Sequence, residues 1–125
     1  AMKALNNYVS AAGLIASFEA LATARDLGIA PDRFLEVINR STGRNNTTEA
    51  KIARYVVSEA YDSGFDLKFM AKDVAIAASL AETGGFDGPV TDAVRQFLQD
   101  GLASLGDAAD HTELYLGITK GRGGS

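Results

Sequence analysis

The sequence lacks cysteine altogether, and histidine occurs once in its 125 residues. Without cysteine there are no disulfides, no thiolate metal ligands and no thiol nucleophile, and this composition is typical of the cytoplasm, where we expect the protein to act. One histidine cannot form a multi-histidine metal site within a chain, and we predict no bound metal. That residue, His111, lies in the first turn of a predicted helix, where we expect it on the surface.

An excess of positive charge is also missing, because 12 lysines and arginines face 16 aspartates and glutamates, for a formal net charge of −4. No basic cluster reverses this balance locally, so we expect neither a nucleic-acid partner nor binding to an anionic membrane. The longest apolar stretch, 8–24, is shorter than the roughly 20 residues that span a bilayer, and it contains Glu19. No basic leader precedes it, so we expect neither a membrane span nor a signal peptide.

Nucleotide-binding motifs are the third absence. The sequence contains no GxGxxG motif after a strand and no phosphate-binding GxxxxGK(S/T) loop. The glycines of 121–124 do not form such a motif, since nothing that could fold follows them. We therefore predict that this chain cannot bind a dinucleotide in the usual way by itself, and that it is part of a longer polypeptide.

Helical spacing of apolar residues is present along the whole chain, and no segment alternates strictly enough to predict a strand. We predict one all-α domain of about six helices, with one long, buried N-terminal helix. That helix would run from 3 to 27, roughly 37 Å, and stop at Gly28. The others are a second helix starting at Pro31, a third opened by a capping box of Asn46 and Glu49, a fourth over 67–82, a fifth from Pro89 to Gly106, and a short sixth opened by Asp110 and Glu113 and ending near Leu116.

The long first helix is apolar all around from 4 to 27, with small residues that allow other helices to approach closely. A helix with this pattern must be surrounded on every side. One chain of 125 residues has little material for that. We therefore predict a homodimer, or a higher homo-oligomer, formed through this helix.

Four polar residues interrupt the apolar pattern in the first two turns of this helix, namely Lys3, Asn6, Asn7 and Ser10. Their offsets place them on one helical face. A lysine pressed into an apolar bundle has its charged form disfavoured, which suits a proton donor, and Asn7 one turn later suits a substrate oxygen. The alternative is that Lys3 lies at a frayed, solvated helix end and has no function.

A second polar interruption, Lys72-Asp73, lies near the start of the predicted fourth helix. Lys72 suits an anionic ligand, and Asp73 suits a helix cap or the partner of a buried cation. The alternative is an exposed helix edge with an ordinary ion pair, which contributes little to stability.

Together these segments resemble a known family. Residues 1–7, Ala-Met-Lys-Ala-Leu-Asn-Asn, resemble the catalytic-lysine segment of the β-hydroxyacid dehydrogenases, typified by 3-hydroxyisobutyrate dehydrogenase. Residues 65–74 resemble the family's later Phe-x-Leu-x-x-Met-x-Lys-Asp-Leu stretch, and 41–44 are similar to its Ser-rich glycine turn. The resemblance covers about residues 1 to 118, although the glycine-containing lead-in expected before Lys3 is missing.

In such enzymes an N-terminal Rossmann domain binds NAD or NADP, and an all-α C-terminal domain like that of 6-phosphogluconate dehydrogenase supplies the catalytic lysine. The resemblance implies that residues 1–118 form this substrate-binding and dimerisation domain, without the Rossmann domain, and that 119–125 form a flexible Gly-rich tail. The implied reaction interconverts a small 3-hydroxy acid and its semialdehyde. We expect the chain to be inactive unless joined to the cofactor domain.

The resemblance also implies roles for individual residues. Lys3 would be the general acid–base residue, while Asn7 and its neighbour Asn6 would bind and orient the substrate. Lys72 would approach the cofactor near its nicotinamide end. Two further residues would line or support the pocket, Phe65 and Asp73.

Two alternatives keep the fold but change the function. One is a non-catalytic helical module used for dimerisation or partner binding, as in relatives that have lost the lysine. The other is a domain of the related imine-reducing enzymes, which usually vary at the lysine position. The presence of Lys3, Asn7 and Lys72 favours the dehydrogenase.

Overall fold

The computed structural model describes residues 1–120, and it confirms the predicted all-α architecture, since no strand occurs within that range. Residues 121–125 of the predicted tail lie outside the described residues, whereas 119 and 120 are helical. The helices are α1 (Met2–Asp26), α2 (Pro31–Ile38), a π-helix (Thr47–Val57), α3 (Leu67–Thr83), α4 (Pro89–Leu105) and α5 (Leu114–Lys120), the last entered through a 3-10 turn (His111–Glu113).

The central element is α1, which contacts every other helix of the described chain. Its side chains Leu14, Phe18 and Leu21 are completely buried. Residues from the surrounding helices close the core around them, namely Ile52, Leu67, Met70, Val74, Leu98 and Leu114. Burial of apolar area is the main favourable term in folding, so the fold is organised around one helix.

The opposite side of the first turns of α1 is not covered. Met2 and Val9 are 73% and 66% exposed, and Leu5 is exposed as well. In a single chain the stretch 4–27 is therefore buried along one side only. Some of the apolar side chains that led us to predict a second subunit, such as Leu5 and Val9, are therefore left in contact with solvent.

Glycines end two of the helices where the sequence predicts. Gly28 follows α1 with φ of +82°, and Gly106 follows α4 with φ of +94°. A side chain with a Cβ is strained in this left-handed region, so glycine allows the chain to turn sharply away from each helix.

The capping box predicted at Asn46 and Glu49 is wrong by one residue. Asn46 makes no capping hydrogen bond through its side chain. Instead, Asn45 Oδ1 accepts from the Thr48 N–H at 3.0 Å, and Thr48 Oγ1 accepts from the Asn45 N–H at 2.9 Å. Asn45 also donates from Nδ2 to Ser17 Oγ at 2.9 Å. The cap is displaced to the asparagine whose amide also reaches α1.

The capping box of the last helical segment is confirmed. Asp110 Oδ2 accepts from the Thr112 N–H at 3.0 Å, and Glu113 Oε2 accepts from the Asp110 N–H at 2.7 Å. The surface position predicted for His111 is wrong, because this residue is only 1% exposed. The turn pairs with the segment before α3, with the His111 N–H donating to the Phe65 carbonyl at 2.9 Å, and this pairing points the ring inward.

We call the buried polar group at this turn the Asp110 cluster; it consists of Ser63, Asp110, His111 and Thr112. Burial raises the pKa of Asp110, but hydrogen bonds from Thr112, Ser63 and the Gly64 N–H together outweigh burial and lower this pKa below 3.8. Burial lowers the pKa of His111 below 6.5, and the nearby Lys51 ammonium lowers it further. The Phe65 carbonyl and the Asp110 carboxylate oppose this shift without reversing it.

The lowered pKa of His111 predicts a loss of stability in mild acid. Above pH 6.5, the ordinary pKa of this side chain, His111 is neutral in both the folded and the unfolded chain. Its contribution to the free energy of unfolding is then fully present. Below that pH the unfolded chain binds the proton first, so the free energy of unfolding should decrease towards the folded pKa. Urea unfolding followed by circular dichroism between about pH 7.5 and about pH 5.5 measures this slope.

The control is His111→Asn, which removes the only histidine of the chain. The free energy of unfolding of this variant should depend less steeply on pH over the same interval. Parallel curves for the wild type and the variant would contradict the assignment of the slope to His111.

Candidate active site

An open cleft of about 500 Å³ lies between the first turns of α1 and the first half of α3. It contains four of the residues predicted from the sequence, although Lys3 lies near the N-terminus and the other three lie at 65–73. The lining residues are Ala1, Lys3, Ala4, Phe65, Phe69, Lys72, Asp73 and Ile76. The packing of α1 against α3 is what brings them together.

Asp73 connects the two helices at the back of this cleft. The Asn7 amide donates from Nδ2 to Asp73 Oδ2 at 2.5 Å, and Lys3 Nζ lies 3.9 Å from the same oxygen. The Asp73 side chain is mostly buried, so a polar partner is required there. Two residues one turn apart on α1 therefore converge on one carboxylate of α3.

Lys3 is more exposed than the sequence suggested. The sequence interpretation placed it against an apolar bundle, whereas 83% of its side chain is accessible to solvent in this structure. At that exposure the pairing with Asp73 contributes little to stability. The pairing instead orients the Lys3 side chain, because it draws the ammonium group towards the cleft and away from the exposed apolar side of α1.

Lys72 adds a second cation to the cleft. Successive residues of an α-helix point about 100° apart, so Asp73 is buried towards α1 while its neighbour Lys72 stays exposed. Two ammonium groups and one carboxylate therefore line a cleft of a chain whose net charge is −4. This local excess of positive charge suits an anionic ligand.

The structure does not bring Asn6 into this cleft. Asn6 lines a separate groove of about 480 Å³ on the other side of α1, with Ser10, Gly13 and the asparagines that precede the π-helix. Its side chain donates a long hydrogen bond of 3.5 Å to Asn7 Oδ1, and Asn7 itself is not among the residues that line the cleft of Lys3. The polar stripe expected on one face of α1 is thus divided, with Lys3 and Asn7 towards α3 and Asn6 and Ser10 towards the π-helix.

The sequence interpretation missed two residues of the apolar wall, Phe69 and Ile76. Both are large, apolar and yet exposed. Their spacing from Lys72 and Asp73 is three or four residues, so the signal was one exposed helical face that combines charged and apolar side chains. Within residues 1–120 no group of His, Cys, Asp or Glu is arranged to hold a metal ion, and no helix is long and apolar enough to cross a membrane.

Curated relatives are similar to this chain over most of its length. The 2-(hydroxymethyl)glutarate dehydrogenase of Eubacterium barkeri is 28% identical over 103 residues, which are 82% of this chain and 34% of that protein. The probable mitochondrial 3-hydroxyisobutyrate dehydrogenase of Arabidopsis thaliana is 35% identical over 96 residues, which are 72% of this chain and 28% of that protein. The chain thus spans about a third of the length of these relatives.

Solved structures share the fold. The 3-hydroxyisobutyrate dehydrogenase of Mycobacterium tuberculosis, solved with L-serine, matches with a TM-score of 0.84 at 21% identity, over 94% of this chain and 42% of that one. The enzyme of the same name from Salmonella typhimurium matches with a TM-score of 0.83 at 19% identity, over 92% and 40%. Residues 1–117 match the family model described as NAD-binding of NADP-dependent 3-hydroxyisobutyrate dehydrogenase. The chain belongs to this family, that of the β-hydroxyacid dehydrogenases.

Proposed function

We propose that this chain is the catalytic-lysine domain of an NAD(P)-dependent oxidoreductase that interconverts a small 3-hydroxy acid and its semialdehyde. The observation that carries the proposal is a cleft lined by Lys3, Lys72 and Asp73, with Asn7 hydrogen-bonded to the Asp73 carboxylate. Membership of a dehydrogenase family supports the reaction type.

The names of the relatives support the substrate class. The compounds named for them are 2-(hydroxymethyl)glutarate, 3-hydroxyisobutyrate and L-serine. Each of these compounds carries a hydroxymethyl group on the carbon next to a carboxylate. We propose the same arrangement for the substrate of this protein, because the cleft combines cations for a carboxylate with an apolar wall for a short carbon chain.

Lys3 would move the proton in this reaction. During oxidation its amine takes the proton of the substrate hydroxyl, and during reduction its ammonium group returns a proton to the oxygen as negative charge develops there. Asn7 would orient that oxygen. Asp73 accepts from Asn7 Nδ2 and so holds the amide plane. Asn7 Oδ1 accepts only a long bond of 3.5 Å from Asn6, which leaves a second lone pair for a substrate hydroxyl.

The cofactor would supply the hydride chemistry, with NAD(P) accepting or donating the hydride. The residues present fit one end of such a molecule, since Lys72 is an exposed cation beside the apolar wall of Phe69 and Ile76. The relatives are about two and a half times as long as this chain, and we propose that a Rossmann domain in the additional length holds the rest. This chain alone would then be inactive.

We also propose that the protein forms a homodimer through α1. The exposed apolar side chains Met2, Leu5 and Val9 are spaced three and four residues apart, so they share one face of the first turns of this helix, which we call the α1 patch. A contiguous apolar patch of this kind is typical of an interaction surface. Covering it with a second copy would complete the burial that the apolar pattern of α1 requires.

Replacing Lys3 by alanine in the full-length protein should lower kcat by about 10²- to 10⁴-fold, the usual contribution of a positioned acid–base residue. Steady-state oxidation of 3-hydroxyisobutyrate, followed by NAD(P)H absorbance, measures the effect. Because the Lys3 side chain is largely exposed, the melting temperature should hardly change. Lys120→Ala on α5 is the control and should keep wild-type activity. Near-normal turnover of Lys3→Ala would contradict the acid–base role of Lys3, whereas a wild type without turnover would favour a non-catalytic helical module.

Replacing Lys72 by alanine should raise the KM for NAD(P) by about tenfold, on the scale of one hydrogen bond to a charged group. The KM for the hydroxy acid should change less. Lys68→Ala provides a matched control, because Lys68 is also on α3 but does not line the cleft. An increase confined to the KM of the hydroxy acid would assign Lys72 to the substrate instead.

Placing a charge in the α1 patch should dissociate the dimer. Val9→Asp introduces a carboxylate that would be buried in the interface, and burying an unpaired charge is costly. Multi-angle light scattering at micromolar concentration should give a dimer mass for the wild type and a monomer mass for the variant. Val57→Asp, at an exposed position of the π-helix, should remain dimeric. A wild type that is monomeric throughout would refute the proposal.

A further inference from the structure

We propose that His111 is a positioning residue for the Lys3 cleft, which it shapes by holding the backbone of Phe65 through the Asp110 cluster. The inference rests on the proposed function for its catalytic consequence, whereas the contact itself depends only on the geometry. His111 does not line the cleft, but the residue that it holds does.

The carbonyl of Phe65 is held by His111 in two ways. The His111 backbone N–H donates to it at 2.9 Å, and the ring nitrogen Nδ1 lies 3.0 Å from it. A carbonyl oxygen only accepts, so Nδ1 must carry the hydrogen and donate. This assignment fixes the neutral tautomer of the ring.

The N–H of Phe65 is held by the same cluster. It donates to Ser63 Oγ at 3.3 Å, and that hydroxyl donates to the Asp110 carboxylate at 2.8 and 2.9 Å. Ser63 Oγ also lies 3.1 Å from His111 Nδ1, so the hydrogen on Nδ1 can be shared between the Ser63 hydroxyl and the Phe65 carbonyl. Both polar backbone groups of Phe65, its carbonyl and its N–H, are therefore hydrogen-bonded to residues of the Asp110 cluster.

The other nitrogen of the ring is left without a partner. His111 Nε2 is buried and has no hydrogen-bond partner within the described residues. A lone pair without a donor costs free energy in a buried site, so the ring is not placed there by an interaction at Nε2. Its polar contacts are those made through Nδ1, and these lead to Phe65 and Ser63.

The rings of His111 and Phe65 are also in contact. Their centroids lie 5.4 Å apart at an interplanar angle of 70°, which is an edge-to-face arrangement. Phe65 is thus held through its carbonyl, its N–H and its ring, while its side chain still forms part of the cleft wall.

This support is needed because Phe65 does not belong to a helix. It precedes α3 in the connection that follows the π-helix, and that connection has positive φ values at Glu59, Tyr61 and Gly64. Without helical hydrogen bonds, the position of Phe65 depends on the cluster. A displacement of about 1 Å at a reacting centre can lower a rate by about 10²-fold, so the wall beside Lys3 must be held firmly.

Two substitutions distinguish the effect of the hydrogen bond from His111 Nδ1 to the Phe65 carbonyl from the effect of the ring's volume. His111→Asn places an amide N–H near the position of Nδ1 and should keep the bond to the Phe65 carbonyl. His111→Phe keeps the ring but loses the donor. In the full-length protein, His111→Phe should raise the KM for 3-hydroxyisobutyrate by about tenfold, whereas His111→Asn should stay within about twofold of wild type.

A second measurement does not depend on activity. Hydrogen exchange of the 125-residue chain should show faster exchange of the segment 63–67 in His111→Phe than in the wild type, with His111→Asn close to wild type. If His111→Phe fails to fold, Ser63→Ala takes its place, because it removes the acceptor of the Phe65 N–H and should have the same two effects.

The outcomes are distinct. Equal increases of KM in His111→Asn and His111→Phe would overturn the inference, since the donor would then not matter. Unchanged exchange of 63–67 in His111→Phe would overturn it as well. If the full-length wild type does not oxidise hydroxy acids, the proposed function fails, and the exchange measurement alone then decides whether His111 holds Phe65.

Discussion

The packing of α1 against α3 is the constraint on which the rest of the structure depends. The buried middle of α1 forms the core with every other helix, and its first two turns continue along α3. At that point Asp73 accepts a hydrogen bond from Asn7 and faces Lys3. The same contact therefore stabilises the domain and aligns the residues to which we assign the chemistry.

Most of the fold could be predicted from the sequence because the signals for helices are local. Apolar spacing and the glycines at 28 and 106 placed the helices and their ends closely. The wrong predictions, the cap at Asn46 and the surface position of His111, lie where the local sequence was compatible with two structures. Asn45 and Asn46 are equally good caps by type, and the choice between them depends on Ser17, a residue of another helix. His111 lies in the first turn of the last helical segment, which favoured the surface, but its environment is set by pairing with a distant segment.

The candidate site could be predicted only in part for the same reason. Lys3, Asn7 and Lys72 stand in motifs that resemble a family; Lys3 and Lys72 line one cleft, and Asn7 is hydrogen-bonded to Asp73 of the same cleft. Asn6 belongs to the same motif yet lies towards a different groove, because a single residue step rotates a side chain by about 100° around the helix. The apolar wall of Phe69 and Ile76 required the three-dimensional arrangement, since large exposed side chains on α3 carry no chemical signature of their own.

The hydrogen bond between Asn7 and Asp73 has a consequence for how sequences of this fold can diverge. Loss of the amide at position 7 would leave a mostly buried carboxylate with only the exposed Lys3 ammonium group nearby, and loss of the carboxylate at position 73 would leave the amide without its acceptor. Either change alone incurs a penalty that a matched change at the other position can relieve. The two positions, 66 residues apart, should therefore vary as a pair among homologues, so that a substitution of Asn7 is accompanied by a compensating change at position 73 of α3.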